Sequence, residues 1–165
     1  RIPTMQISII AAGDKMPIWV KECCDDYYRR LPKPFSVKQI EISLEKRSSS
    51  QSTAKTRFRE TQRLLNAVPE NDWLVVLDEK GKHFTTQAFA EKMSAWQEQQ
   101  RNISFVIGGP DGIDFSCKID GRKQWPDQRW SLSSLTFPHP LVRVLLAEQV
   151  YRGWSVIAGH PYHRD

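Results

Sequence analysis

Short apolar runs alternate along this chain with longer segments in which apolar residues recur every three or four positions. The short runs are rich in β-branched residues and are bounded by turn-forming residues, as buried strands are. Five of them occur, and they span Met5–Ala12, Ser36–Ser43, Trp73–Asp78, Ile103–Gly109 and Trp130–Thr136. The pattern therefore predicts a sheet of five strands.

The segments between the strands have the period of amphipathic helices. Three of them start beside a proline or a Ser/Thr residue that suits a helix N-terminus, and they cover residues 17–31, 52–68 and 85–100. A fourth helix is predicted to begin near Pro140. This order predicts an α/β fold with a parallel-rich sheet, helices on both faces, and ligands bound beyond the carboxyl ends of the strands.

One cation interrupts the apolar face of the last predicted helix. Helical spacing places Arg143 in the same direction as four apolar or aromatic residues, Ala147, Val150, Tyr151 and Trp154. A buried cation without a partner costs several kcal/mol. Two interpretations stay open: Arg143 pairs with a carboxylate across a subunit interface, or it faces a ligand crevice. Glu148 and Arg152 have the spacing of a helical ion pair, either solvated or at an interface.

Composition limits the classes of protein that this chain can form. Its 165 residues, 39% of them hydrophobic, fit a single domain over residues 1–165. No apolar run approaches the roughly 20 residues of a membrane span, and no signal peptide is recognised, so we expect a soluble cytoplasmic protein. The three cysteines form neither a disulfide framework nor a metal-binding spacing, which favours a reducing compartment. A net charge of +5 favours a polyanionic partner.

Two predicted strands end in loops that could line a ligand crevice. Gly108–Gly112 has glycines that permit close backbone approach to a ligand, but it matches no phosphate-binding motif, and Asp111 and Asp114 would repel a phosphate. A structural turn and a site for an uncharged or cationic ligand both stay open. Val76–Lys82 carries acids and a turn glycine, and it equally fits an ordinary polar loop.

A third loop and the C-terminal tail offer further polar chemistry. Ser131–Pro140 is rich in hydroxyl groups, ends in two prolines and suits a planar polar ligand such as a nucleobase. In the tail, Tyr162, His163 and Arg164 could stack on a base and hold a phosphate, or simply form a frayed terminus. His160 and His163 alone offer too few ligands at too tight a spacing, so no metal site is expected.

Several of these motifs occur in the order found in one protein family. The segments "QISIIAAGDKMPIWV", "VVLDEKGK", "VIGGPDG", "LTFPHPLVRVLLAEQVYRGWS" and "HPYHR" resemble the RlmH family of SPOUT-class methyltransferases over nearly the whole chain. The resemblance implies a C-terminal trefoil knot, a homodimer without metal or membrane attachment, and S-adenosylmethionine as cofactor. It also implies methylation of N3 of a pseudouridine in large-subunit ribosomal RNA, on the assembled ribosome. A sulfonium cofactor, positively charged and without phosphate, agrees with the acidic loops.

The resemblance also assigns roles to particular residues. Those implied to contact the cofactor are Leu77, Gly108, Leu132, Ser133, Ser134, Leu135, Thr136 and Phe137. The candidates for catalysis are His139, Arg143, Tyr162, His163 and Arg164, and among them the resemblance favours those of the tail. Either His139 or His163 could accept the proton of the target nitrogen, and Arg143 or Arg164 could stabilise the developing charge.

Some features depart from the family or leave alternatives open. The segment Lys118–Arg129 is longer and more basic than the corresponding connection in the family, and the polar segment Glu45–Thr53 is expected to be mobile. A non-catalytic basic RNA-binding or ribosome-associated α/β module is the main alternative. A dinucleotide-dependent enzyme fits the sheet but lacks the phosphate fingerprint.

Overall fold

Parallel strands and helices alternate through most of the structure, a computed structural model that describes residues 4–164. In chain order the elements are β1 Met5–Ala12, α1 Ile18–Arg29, β2 Phe35–Ile42, α2 Thr53–Asn66, β3 Trp73–His83, α3 Thr86–Glu98, β4 Ile103–Ile107, β5 Gln128–Ser131, α4 His139–Ala158, and a short 3-10 turn at Pro161–His163. The predicted α/β fold is confirmed.

All five strands pair in parallel, in the order β2-β1-β4-β3-β5. The central strand β4 is buried at all five positions. At its end Ile107 pairs with Ala11 of β1 on one side and with Leu77 of β3 on the other. The carboxyl ends of β1 and β4 therefore lie beside the point at which β3 stops pairing with β4.

Helices cover both faces of the sheet, as predicted. On one face, α1, α3 and α4 pack against the alternating positions that include Ile7, Val75 and Phe105. On the other face, Leu64 and Leu65 of α2 pack against the complementary strand positions, together with side chains such as Ile119 and Trp125 from the predicted long connection. That connection therefore covers one face of the sheet.

Strand β2 is shifted by one residue from the sequence prediction and β4 ends two residues early, whereas the last strand and β3 differ more. The last strand occupies Gln128–Ser131 and ends before most of the predicted Trp130–Thr136, since residues 132–136 form a loop. Strand β3 runs beyond the predicted end, because Lys82 and His83 pair again with β5 after an irregularity in register. Gly81 makes this possible: a Cβ there would lie 2.7 Å from backbone atoms of Arg129 and Trp130.

The helices start and end where their sequences suggest. Ser52 and Thr85 accept hydrogen bonds from backbone amides at the starts of α2 and α3. Helix α4 has Pro140 in its first turn and ends at Gly159, whose φ of 68° is a left-handed C-cap. Within residues 4–164, no helix combines the length and apolarity needed to cross a bilayer.

Candidate active site

A cavity of about 500 Å³ lies at the carboxyl ends of β4 and β5, beside residues 77–80 of β3 and the start of α4. Its walls are residues 77–80, 107–110, 112–113, 130–133, 135, 137–139 and 142. The three segments that the sequence analysis selected thus converge on one cavity. One of them is not a loop, however, since Val76–Lys82 lies within strand β3.

The structure brings most of the predicted cofactor residues to this cavity. Six of the eight line it: Leu77, Gly108, Leu132, Ser133, Leu135 and Phe137. The exceptions are Ser134 and Thr136, which are exposed and are not among the lining residues. Leu135 is 69% exposed and presents an apolar side chain to the cavity mouth.

The turn at Gly108–Gly112 forms one wall with its backbone. The Gly112 amide donates a 3.0 Å hydrogen bond to the Gly109 carbonyl, and Gly112 has a φ of 79°. A Cβ at Gly108 would lie 2.9 Å from Cδ1 of Ile113 and 3.0 Å from the Gly112 carbonyl carbon. Any larger residue at position 108 therefore distorts the turn itself.

The hydroxyl-rich loop is shaped by its own side chains. Ser131 Oγ donates to the Ser133 carbonyl at 2.8 Å, and the Leu135 amide donates to Ser133 Oγ at 3.0 Å. These bonds curl residues 131–135 around the cavity. The charged residues of the lining are Asp78, Glu79 and Lys80, a set that does not favour a pyrophosphate.

His139 connects the cavity to the buried cation. Its Nδ1 lies 2.9 Å from the Gly108 carbonyl, and Arg143 Nε donates to its Nε2 at 2.8 Å. Since a carbonyl can only accept and a guanidinium only donates, the proton of the neutral ring lies on Nδ1. Burial, followed by the charge of Arg143, lowers the pKa of His139.

Arg143 joins two distant parts of the chain to the start of α4. It is 8% exposed, its Nη1 donates to Glu41 Oε2 and its Nη2 to the Gly13 carbonyl, both at 2.6 Å. The buried stripe of α4 matches the prediction, apart from a half-buried Trp154. The carboxylate partner, however, lies in the same chain. Both sequence interpretations miss this intrachain pair, although Arg143 also adjoins the cavity through His139.

The predicted tail residues lie elsewhere. Tyr162 lies with its hydroxyl 3.0 Å from Glu148 Oε2 and 3.3 Å from the Tyr27 hydroxyl, and its ring packs edge-on against Tyr151. Burial, with these hydrogen bonds, raises the pKa of Tyr162, so the phenol stays protonated. Arg152 pairs with Glu148 at 2.9 Å, as the spacing predicts.

Helix geometry separates this tail from the cavity of the same chain. Glu148 follows His139 by nine residues, which is about 14 Å along a helix and about half a turn around it. Tyr162 therefore lies near the opposite side of α4 from His139. Arg164 is exposed, and Nδ1 of His163 is buried without a hydrogen-bond partner among the described residues.

The sequence did not identify Glu41 and Gly13 as site residues. Glu41 lies at the end of β2, where an exposed acid is unremarkable, and its role depends on a residue 102 positions away. Between residues 4 and 164, no group of three or more His, Cys, Asp or Glu side chains is placed to hold a metal ion.

Comparison with known proteins identifies relatives over nearly the whole chain. Residues 5–163 match the family described as "Predicted SPOUT methyltransferase". The chain is 44% identical over 161 residues to "Ribosomal RNA large subunit methyltransferase H" of Hydrogenovibrio crunogenus, covering 98% of this chain and 100% of the relative. Proteins of the same name from Coxiella burnetii and Teredinibacter turnerae are 44% and 46% identical, each over 97% of this chain and 100% of the relative.

Proposed function

This chain belongs to the SPOUT methyltransferase family, and from that premise we propose that it transfers a methyl group from S-adenosylmethionine to N3 of a pseudouridine in large-subunit ribosomal RNA. The observation that carries the proposal is the convergence on one cavity of residues 77–80 of β3 with the loops that follow β4 and β5. The choice of ribosomal RNA as the substrate rests on the names of its relatives.

The cavity fits S-adenosylmethionine in size and chemistry. Its volume is about 500 Å³, and Leu77, Leu132, Leu135 and Phe137 offer apolar surface for an adenine ring. Backbone groups of the Gly108 turn and the serine loop supply polar partners. Two acids and one lysine in the lining suit a sulfonium better than a phosphate. When bound, the cofactor supplies an electrophilic methyl group.

Three further residues are assigned to positioning, to stabilising charge and to accepting the substrate proton. Both ring nitrogens of His139 are engaged, so we assign His139 to positioning Arg143 and not to accepting the substrate proton. Arg143 uses three of its five N–H groups within the chain and lines a neighbouring pocket with Met16 and Glu41, not the cavity itself. We assign its two remaining N–H groups to stabilising charge on a uracil carbonyl that enters from that pocket. His163 is our candidate for the proton acceptor. Its Nδ1 is buried, so the substrate proton would go to Nε2.

Bringing His163 to the target base requires a second copy of the chain. The tail lies on the far side of α4 from its own cavity, so we propose a homodimer in which Tyr162, His163 and Arg164 of one copy complete the site of the other. Exposed apolar residues support such an interface: Ile18 and Trp19 on α1 are 72% and 48% exposed, and Leu141 on α4 is 40% exposed. Both helices cover the same face of the sheet.

The net charge of +5 favours the ribosome as partner and agrees with action on the assembled particle in the cytoplasm. A non-catalytic RNA-binding module would share this charge but would have no need of the cavity.

Calorimetry tests the proposed function. We expect S-adenosylmethionine and S-adenosylhomocysteine to bind, and NAD not to bind. Leu135→Ala should weaken binding about tenfold, since it removes exposed contact area from the cavity without disturbing the core. Phe58→Ala, which truncates a 43% exposed side chain outside the lining, should bind as the wild type does.

Methylation of purified ribosomes, followed by mapping of the modified nucleotide, completes the test. A protein that binds RNA but not S-adenosylmethionine would support the non-catalytic alternative. Binding of NAD alone would support a dinucleotide-dependent enzyme.

A further inference from the structure

A fully buried carboxylate lies directly behind the Gly108–Gly112 turn. Glu60 of α2 is 0% exposed. Its Oε2 accepts hydrogen bonds from the Glu45 amide at 2.8 Å and from Arg47 Nη1 at 2.5 Å, and its Oε1 accepts from Arg47 Nη2 at 3.1 Å. The cavity lining does not include Glu60, so cofactor contact does not explain this arrangement.

Glu60 also lies close to the turn at Gly109. A Cβ built on Gly109 would lie 2.8 Å from Glu60 Oε1 and 3.1 Å from Cδ2 of Leu44. Gly109 also lines the cavity. The buried carboxylate and the cavity therefore share one residue of the turn.

Arg47 holds the turn at a second point. Its Nη2 donates to Asp111 Oδ2 at 2.9 Å as well as to Glu60. These hydrogen bonds, Glu60 first, raise the pKa of Arg47, so the guanidinium stays charged. Arg47 belongs to the polar segment Glu45–Thr53 that the sequence analysis expected to be mobile. The structure instead attaches that segment to both α2 and the turn.

We propose that Glu60 and Arg47 are positioning residues that hold the Gly108–Gly112 turn in its cofactor-binding shape. Cofactor affinity thereby depends on the docking of residues 45–47 against α2. The inference deepens the proposed function, because the cavity concerned is the one assigned to S-adenosylmethionine. A charged arginine is needed, since only a guanidinium can bind both carboxylate oxygens of Glu60 and reach Asp111.

The test compares the cofactor affinity of variants with their stability. Glu60→Gln, Arg47→Lys and Asp111→Asn should each weaken binding of S-adenosylhomocysteine, by about tenfold for Glu60→Gln, since each change weakens the charge-assisted bonds by which Glu60 holds Arg47 and Arg47 holds Asp111 of the turn. The KM for S-adenosylmethionine should rise in parallel while kcat stays close to the wild-type value. Hydrogen exchange of the Gly112 amide should accelerate in all three variants.

Asp72→Asn is the matched control. Asp72 is also a buried carboxyl, 4% exposed and bonded to Ser104 Oγ, but it lies at the opposite end of the sheet. This variant should lose stability and keep its cofactor affinity. Affinity that falls equally in Asp72→Asn and Glu60→Gln would show a general effect of stability and overturn the proposal.

The remaining outcomes separate the two proposals. Wild-type affinity and KM in folded Arg47→Lys and Asp111→Asn would overturn the positioning role. Both side chains are at least partly exposed, so these variants keep the test available if Glu60→Gln fails to fold. If the wild type binds neither cofactor form, the proposed function is wrong, and unchanged exchange at Gly112 in the variants would still overturn the positioning role.

Discussion

Arg143 illustrates what a sequence shows about a single residue. Its spacing among apolar residues predicts burial, and burial demands partners. The partners themselves are not predictable from spacing, because Glu41 and Gly13 lie 102 and 130 positions away and meet Arg143 only when β1, β2 and α4 are assembled. Local patterns specify the face of a helix, whereas the groups opposite that face depend on topology.

His139 should make stability depend on acidity. Its folded-state pKa lies below the ordinary 6.5, so the unfolded chain binds a proton first as pH falls. The free energy of unfolding should therefore decrease as pH falls below about 6.5, by about 1.4 kcal/mol for each unit by which the pKa is lowered. Protonation would also place an N–H against Arg143.

Thermal unfolding of the wild type and His139→Gln between pH 5 and 7.5 measures this effect. Glutamine can still donate to Gly108 and accept from Arg143, but it does not titrate. The wild type should lose stability relative to the variant on the acidic side. Parallel curves would contradict the prediction, and His83→Gln, outside the cavity, controls for the mere loss of a histidine.

The bounds of strands and helices were predictable where an apolar run and a turn residue indicated the same end. The bounds of β1 agree with the prediction, because an apolar run of strand length stops at a glycine. The last strand was misplaced because Trp130–Thr136 has strand-like composition, but the serine hydroxyls bond within the loop, and pairing with β3 ends at Ser131. Gly81 was predicted as a turn residue, and its actual role, close approach of β5, depends on a strand far along the chain.

The tail should be separable from the cofactor cavity. Removing residues 162–165 should leave S-adenosylmethionine affinity within about twofold of the wild type, because the cavity is built from upstream loops. Methyl transfer to ribosomes should be lost, since the proposed proton acceptor is removed. Calorimetry and a ribosome methylation assay measure the two quantities.

Tyr162→Phe tests whether the Tyr162 hydroxyl serves the reaction or only attaches the C-terminal tail to α4. It keeps the ring against Tyr151 and removes the bond to Glu148, so stability should fall by about 1 kcal/mol with most activity retained. If the protein that lacks residues 162–165 methylates ribosomes at the normal rate, the tail has no catalytic role and is a frayed terminus.

At the scale of the whole molecule, alternation of strands and helices predicted the parallel sheet and its two covered faces. It did not predict the strand order, because periodicity carries no information on which strands are neighbours. The trefoil knot follows from the family and stays a prediction, as does the homodimer. Both concern how segments pass or meet in space, which local patterns do not encode.

Sedimentation should give about twice the 19.2 kDa mass of the chain at micromolar concentration. Trp19→Glu and Leu141→Asp should each shift the protein toward a monomer, since they place charges on the exposed apolar surface of α1 and α4. Phe58→Glu, on α2, should leave the dimer intact. A wild-type monomer would remove the basis for a shared site.

The central position of β4 has a consequence for how the chain is made. A ribosome releases β1, β2 and β3 before β4, yet β3 pairs only with β4 and β5. Until residues 103–107 emerge, β1 and β2 are the only native strand pair that can form, and neither edge of β3 has a native partner. Non-local pairing of this kind slows folding. A nascent chain halted before residue 103 therefore presents an apolar strand with both edges open, which is the form in which such a chain most needs a chaperone.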